Sequence, residues 1–190
     1  MSNPILFINA CVRRESRTKR LADALLLKLG QPFDEVRLGS LAFPAVDENF
    51  LNERDRLAAA ADLGSPVLAL AAQFARAERI VIAAPYWDLS FPAALKQYLE
   101  QINVVGVTFA YTEMGVPVGL CRAKQLFYVT SAGGPDVPQE YGYGYVRALA
   151  RDYYGIPDVR LIAAQGLDVY GADAEAVLQA AEADIAAMPS

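Results

Sequence analysis

The chain has 190 residues, 54% of them apolar and 21% charged, with a net charge of -5 and no histidine. That balance excludes disorder as the main state and argues against nucleic acid as a partner, because phosphate backbones need a basic surface. Without histidine, imidazole metal sites and Ser-His or Cys-His nucleophiles are excluded, and Cys11 and Cys121 are too few for a disulfide framework or a four-cysteine site. Ordinary usage makes both cysteines buried, reduced thiols. The first residues, Met1 to Cys11, carry no basic leader region. The longest uncharged apolar stretches, Ser65 to Ala75 and Ile102 to Thr112, are too short to span a bilayer. The expectation is a cytoplasmic protein with no membrane partner.

In chain order, Ile5 to Ile8 is an apolar run between Pro4 and Asn9 and reads as a buried strand. Thr18 to Leu29 has helical apolar spacing at Leu21, Ala24, Leu25 and Leu29, and Gly30 is a good stop. Glu35 to Leu38 reads as a second strand, Leu41 to Leu51 as a loop, and Glu53 to Ala61 is rich in helix formers. Ser65-Pro66 predicts a capped helix running to about Ala77. Arg79 to Ala84 is a third strand with little polar alternation, as in a sheet buried on both faces. Phe91-Pro92 opens a helix through Ile102. Gln125 to Thr130 is a fourth strand, Gln139 to Tyr154 a helix, Val159 to Ala164 a fifth strand, and Ala172 to Met188 a terminal helix. The pattern predicts an α/β fold with a doubly wound, five-stranded parallel sheet in one domain spanning residues 1–190. Val104 to Leu120 is a hairpin-like excursion before the fourth strand.

Such sheets bind ligands beyond the carboxyl ends of their strands, at the switch in strand order. Three loops there carry unusual chemistry. The first, Asn9 to Thr18, holds Arg13, Arg14, Arg17, Ser16 and Thr18 just before a helix, where free amides and the dipole suit a phosphate. Ordinary capping with solvated arginines is the alternative. No GxGxxG or Walker pattern is present, so a phosphate monoester fits better than a pyrophosphate on a glycine turn or a nucleoside triphosphate. The second loop, Ala84 to Pro92, contains Pro85, Tyr86, Trp87, Asp88 and Leu89, which could line a planar ring, or form a rigid corner with Ser90 capping the next helix. The third, Ser131, Ala132, Gly133 and Gly134, permits close approach of a ligand, or is a plain turn. Phosphate donors, an aromatic platform and a glycine wall in one crevice suit FMN.

The runs IVIAAPYWDLSFPAALKQYLEQI, GVTFAYTEMG and VTSAGGP, between Ile80 and Pro135, resemble the flavodoxin-like FMN-dependent NAD(P)H oxidoreductases, which include azoreductases and quinone reductases. The resemblance covers nearly the whole chain. It implies a flavodoxin-like strand order 2-1-3-4-5, FMN as cofactor, and NADH or NADPH as co-substrate. It implies a ping-pong cycle passing hydride to a quinone, azo compound or nitroaromatic, and a homodimer. By position, Ser16, Arg17 and Thr18 fall on the phosphate, Tyr86 to Leu89 on the isoalloxazine, and Ser131 to Gly134 on a second flavin wall. No side chain is implied as a catalytic nucleophile. The chain departs from the family pattern at Ala10-Cys11, where serine is common and Arg13 can compensate, and at Asp88, where asparagine is common. A carboxylate near the ring would lower its reduction potential. Two other classes share the fold: an FMN-binding carrier or sensor without rapid turnover, and a nucleoside transferase with Asp88 or Glu113 as nucleophile. Tyr141, Tyr143 and Tyr145 are either lid aromatics or packing residues.

Overall fold

The computed structural model describes residues 5–189. Pro4 and the rest of residues 1–4, which flank the first expected strand, lie outside the described residues. Five strands form one parallel sheet: β1 (Ile5–Asn9), β2 (Phe33–Arg37), β3 (Arg79–Ala83), β6 (Gln125–Ser131) and β7 (Asp158–Ala164). Their order is β2-β1-β3-β6-β7, the flavodoxin-like order expected from the sequence. The two intervening strands, β4 (Phe109–Tyr111) and β5 (Pro117–Gly119), pair antiparallel as a separate hairpin.

The alternation of side chains along β1 explains the layers. Ile5 and Phe7 face α1 (Arg17–Leu29) and α6 (Ala174–Ala187), where they meet Leu21, Leu25, Leu178 and Ile185. Leu6 and Ile8 face the opposite layer, built on α3 (Ala69–Arg76) and α4 (Ala93–Ile102), with Phe74, Leu95, Tyr98 and Tyr154. Every residue of β1 is buried, which is why the run has no polar alternation. Each such large side chain removed from water contributes about 1.5–3 kcal/mol.

Several expected boundaries shift for local reasons. β2 starts at Phe33 and ends at Arg37 because its parallel register with β1 runs from Ile5↔Phe33 to Asn9↔Arg37; Leu38 already belongs to a 3-10 turn. The expected loop before Leu51 is partly helix: α2 spans Glu48–Ala59, capped by Asp47, whose side chain accepts from the Phe50 amide. Ser65 caps a short 3-10 turn, Pro66–Leu68, and α3 begins only at Ala69. The expected helix from Gln139 is delayed to α5 (Tyr143–Ala148), because the Gly144 amide closes back on the Gln139 carbonyl at 2.6 Å and wraps 139–144 into a turn. α5 continues as a π-helical turn, Leu149–Tyr153. The hairpin rests on that turn where Gly119 crosses Gly155, a contact so close that a Cβ at Gly119 would overlap the Tyr154–Gly155 backbone.

No helix among the described residues is long and apolar enough to cross a membrane. The chain leaves β1 for β2 on one side and then crosses to β3 on the other, so the topological switch lies between the carboxyl ends of β1 and β3.

Candidate functional site

Just past the carboxyl end of β1, Ala10 still donates its amide to the Ala83 carbonyl of β3 at 2.8 Å. The Cys11 amide then turns onto the Asn9 side-chain oxygen at 2.9 Å, which lifts the chain off the sheet. Asn9 is itself held by donating to Glu35 at 2.7 Å. Ser16 adopts extended angles and caps α1, its hydroxyl accepting from the Lys19 amide. The first-turn amides of Arg17 and Thr18 have no intrahelical acceptor and sit at the positive end of the helix dipole.

The loop after β3 begins as an extension of the sheet. Ala84 donates to the Val129 carbonyl at 2.9 Å and Tyr86 to the Ser131 carbonyl at 3.1 Å. Trp87 and Ser90 then exchange both backbone hydrogen bonds, at 3.1 and 2.8 Å, around Asp88 and Leu89. Both central residues have positive φ, 50° and 69°, as a two-residue turn of the primed kind requires. An aspartate tolerates this conformation; a leucine adopts it at a cost. Ser90 does not cap α4. Its hydroxyl donates to the Tyr141 carbonyl at 2.6 Å, and Pro92 holds the cap position.

The third wall is formed after β6. The amides of Gly166, Leu167 and Asp168, beyond β7, donate to the carbonyls of Gly134, Ala132 and Gly133, at 2.8, 3.2 and 3.0 Å. Ser131 and Thr18 share a hydroxyl–hydroxyl hydrogen bond of 2.7 Å, joining the first loop to the third, and Thr18 is wholly buried. Arg17 Nη1 donates to Asp168 Oδ1 at 2.7 Å.

These segments enclose a cavity of about 390 Å³ at the switch point. Arg13, Ser16, Arg17 and Thr18 border it from the first loop, Pro85, Tyr86 and Trp87 from the second, and Ser131, Ala132 and Gly133 from the third. Asp88, Leu89 and Gly134 do not. The turn carries Asp88 and Leu89 out to its exposed tip, where water screens the Asp88 carboxylate, and Gly134 is exposed beyond the wall. Val12 and Glu15 of the first loop also border the cavity, as do Leu167 and Asp168, which escape a reading confined to three loops. The signal for the last two was a fourth loop after the final strand, Gly166-Leu167-Asp168, whose glycine has φ 76°. At Gly133, which borders the cavity, the Asp168 carboxylate fills the space that a Cβ would take.

Trp87 is 40% exposed and Tyr141 59% exposed, so each presents an aromatic face to solvent. Tyr143 is a packing residue, its hydroxyl donating to the Val159 carbonyl at 2.9 Å, and Tyr145 packs beside Phe91. Burial pushes the Cys11 thiol up, and it pushes Cys121 up to about 12, so both are neutral thiols; Cys11 is half-buried rather than buried. Among the described residues no cluster of His, Cys, Asp and Glu could hold a metal ion.

The family model for the flavodoxin-like fold matches residues 3–188. The chain belongs to this family. Within it, the chain is similar to an FMN-dependent NADH:quinone oxidoreductase of Clostridium perfringens, at 37% identity over 180 residues and 90% of each chain. A second relative named FMN-dependent NADH:quinone oxidoreductase, from Clostridium acetobutylicum, is 38% identical over 188 residues and 92% of each chain. Among solved structures, an azoreductase from Bacillus anthracis str. Sterne superposes with a TM-score of 0.84 over 98% of this chain and 97% of its own, at 24% identity, and so shares the fold.

Proposed function

We propose that this member of the flavodoxin-like family, folded as one domain and working in the cytoplasm, is an FMN-dependent NADH:quinone oxidoreductase that also reduces azo and nitroaromatic compounds. The observation that carries the reading is the convergence, in one cavity, of the α1 N-terminus, an exposed aromatic turn and a wall of backbone after β6. The residues present fit FMN. Ser16, Arg17, Arg13 and the first-turn amides of α1 form a donor set for a phosphate monoester, with the buried Thr18 hydroxyl locking that turn to Ser131. Pro85, Tyr86 and Trp87 would hold the ring on one side, and Ser131, Ala132 and Gly133 on the other. A volume of about 390 Å³ lies in the range of sites for small cofactors. The names of the relatives support both the cofactor and the donor.

Bound there, FMN would supply the hydride chemistry between a nicotinamide and an oxidant. The chain's own part is to bind and orient. Arg17 and the α1 N-terminus would hold the anionic end of the cofactor. Trp87, which borders the cavity and is 40% exposed, would flank its mouth. Donor and acceptor occupy the same place in turn, which is a ping-pong order. No side chain needs to act as a nucleophile, in keeping with two neutral thiols. The hairpin exposes Tyr111, Met114, Val116, Val118 and Leu120, an apolar strip suited to covering by a second copy in a homodimer.

The test is an absorbance spectrum of the purified protein before and after anaerobic NADH, with NADPH in parallel. A flavin spectrum that bleaches within seconds of NADH addition is expected, followed by recovery on adding a quinone. A bound flavin that stays oxidised would favour a carrier or sensor. No uptake of added FMN would overturn the proposal. Light scattering at several concentrations reads the dimer.

A further inference from the structure

A second cavity of about 450 Å³ adjoins the cationic end of the first, between the start of α1 and the start of α6. Glu15, Ser16 and Arg17 border both. Arg17 stands at the boundary, and its guanidinium is held there by Asp168, which borders only the first cavity. We propose that Asp168 is a specificity-determining residue that ends the cofactor site at a phosphate monoester. Holding Arg17 across the boundary, it keeps a pyrophosphate, and with it a dinucleotide flavin, from extending into the second cavity. The proposal rests on the flavin reading above.

The backbone of Asp168 is placed by the fold, and its carboxylate by Arg17. Its amide donates to the Gly133 carbonyl, and the amides of Gly166 and Leu167 fasten the same loop to Gly134 and Ala132. Its carboxylate lies against Gly133 where any Cβ would collide with it, whereas the space above Gly134 is open. Gly133 is not at positive φ, and a Cβ there would displace the Asp168 carboxylate.

Charge points the same way. Arg17 is bound through Nη1 alone, so its other N–H groups can still meet a terminal phosphate. Beyond Arg17 the second cavity offers Glu15 and Glu175. Its other arginine, Arg20, is already bound to Glu175 and Glu182 through four hydrogen bonds of 2.7 to 2.9 Å. A second phosphate there would therefore meet Glu15 and Glu175, while Arg20 is engaged and Arg17 is turned toward Asp168, and like charges at such range repel. Without Asp168, Arg17 could swing outward and grip a pyrophosphate with both arms of its fork.

The experiment measures dissociation constants of riboflavin, FMN and FAD for the full-length apoprotein by flavin fluorescence, in the wild type, Asp168→Ala and Asp168→Asn. The wild type should prefer FMN to FAD. Asp168→Ala should move the FAD-to-FMN affinity ratio toward FAD by about tenfold, the size of one charge-assisted contact, with riboflavin changed by less than about twofold. Asp168→Asn keeps the shape without the charge and should move the ratio the same way by less; it also keeps the test alive if the alanine variant does not fold. An unchanged ratio, or an equal loss for all three flavins, overturns the proposal. If the wild type takes no flavin, the functional reading falls, and inorganic phosphate and pyrophosphate, read by thermal shift, decide on Asp168. A gain confined to pyrophosphate in Asp168→Ala supports its role as an end stop, and an equal response to both anions overturns it.

Discussion

The loop after β1 turns on hydrogen bonds: Cys11 onto Asn9, Lys19 onto Ser16, Thr18 onto Ser131, Arg17 onto Asp168. The loop after β3 turns on backbone conformation, with two consecutive non-glycine residues at positive φ and a tryptophan left 40% exposed. Both edge the same cavity. The first end uses polar groups that the folded chain already satisfies or aims, which suits an anion. The second stores local strain and exposes apolar rings, which suits a flat ligand that stacks.

The comparison can be broken by substituting each end in turn. Arg17→Ala should weaken FMN by about 10- to 100-fold, the loss of a charge-assisted contact, while riboflavin binding stays within about twofold. Equal losses for both flavins would show that the β1 loop does not hold the phosphate. Trp87→Ala should weaken FMN and riboflavin alike, by about 2- to 10-fold, the worth of an aromatic contact. A loss confined to FMN would reverse the assignment of the two ends. Leu89→Gly should raise the unfolding free energy by about 0.5–1 kcal/mol, since it relieves a left-handed leucine whose side chain is 56% exposed. Denaturant unfolding of the apoprotein reads this, and a fall in stability would show that the turn is not strained.

The smallest effect concerns how α1 is anchored. The Arg20 guanidinium holds the Glu175 carboxyl down at about 2 and keeps Glu182 below its ordinary value. Because those folded values are depressed, the clamp stabilises the fold at pH above the ordinary glutamate range and is lost as pH falls toward 2. The clamp is solvent-exposed, so the effect is modest. Arg20→Leu should flatten the acid limb of the stability profile between about pH 4.5 and 2, and an unaltered limb would exclude the clamp.

The sheet was legible because burial on both faces leaves an unmistakable mark: Ile5 to Ile8, Ile80 to Ala84 and Leu126 to Val129 have no room for polar alternation. The capped start of α1 was legible because a capping serine acts within a few residues of the helix it opens. Asp168 was not, since nothing local links it to Arg17, 151 residues away. The start of α2 was missed although its signal was local: Asp47 three residues before Phe50 is a cap that the nearby Pro44 obscured.

By itself, then, the sequence determined the parallel α/β architecture, the three switch-point loops and the absence of imidazole chemistry, since each depends on residue type and short-range spacing. Only the tertiary structure decided which residues of those loops border the cavity, that Gly133 makes room for a carboxylate, and that Arg17 is shared between two cavities. Those facts depend on how loops from β1, β6 and β7 meet in space, and that meeting is set by strand order and register acting over more than a hundred residues of chain.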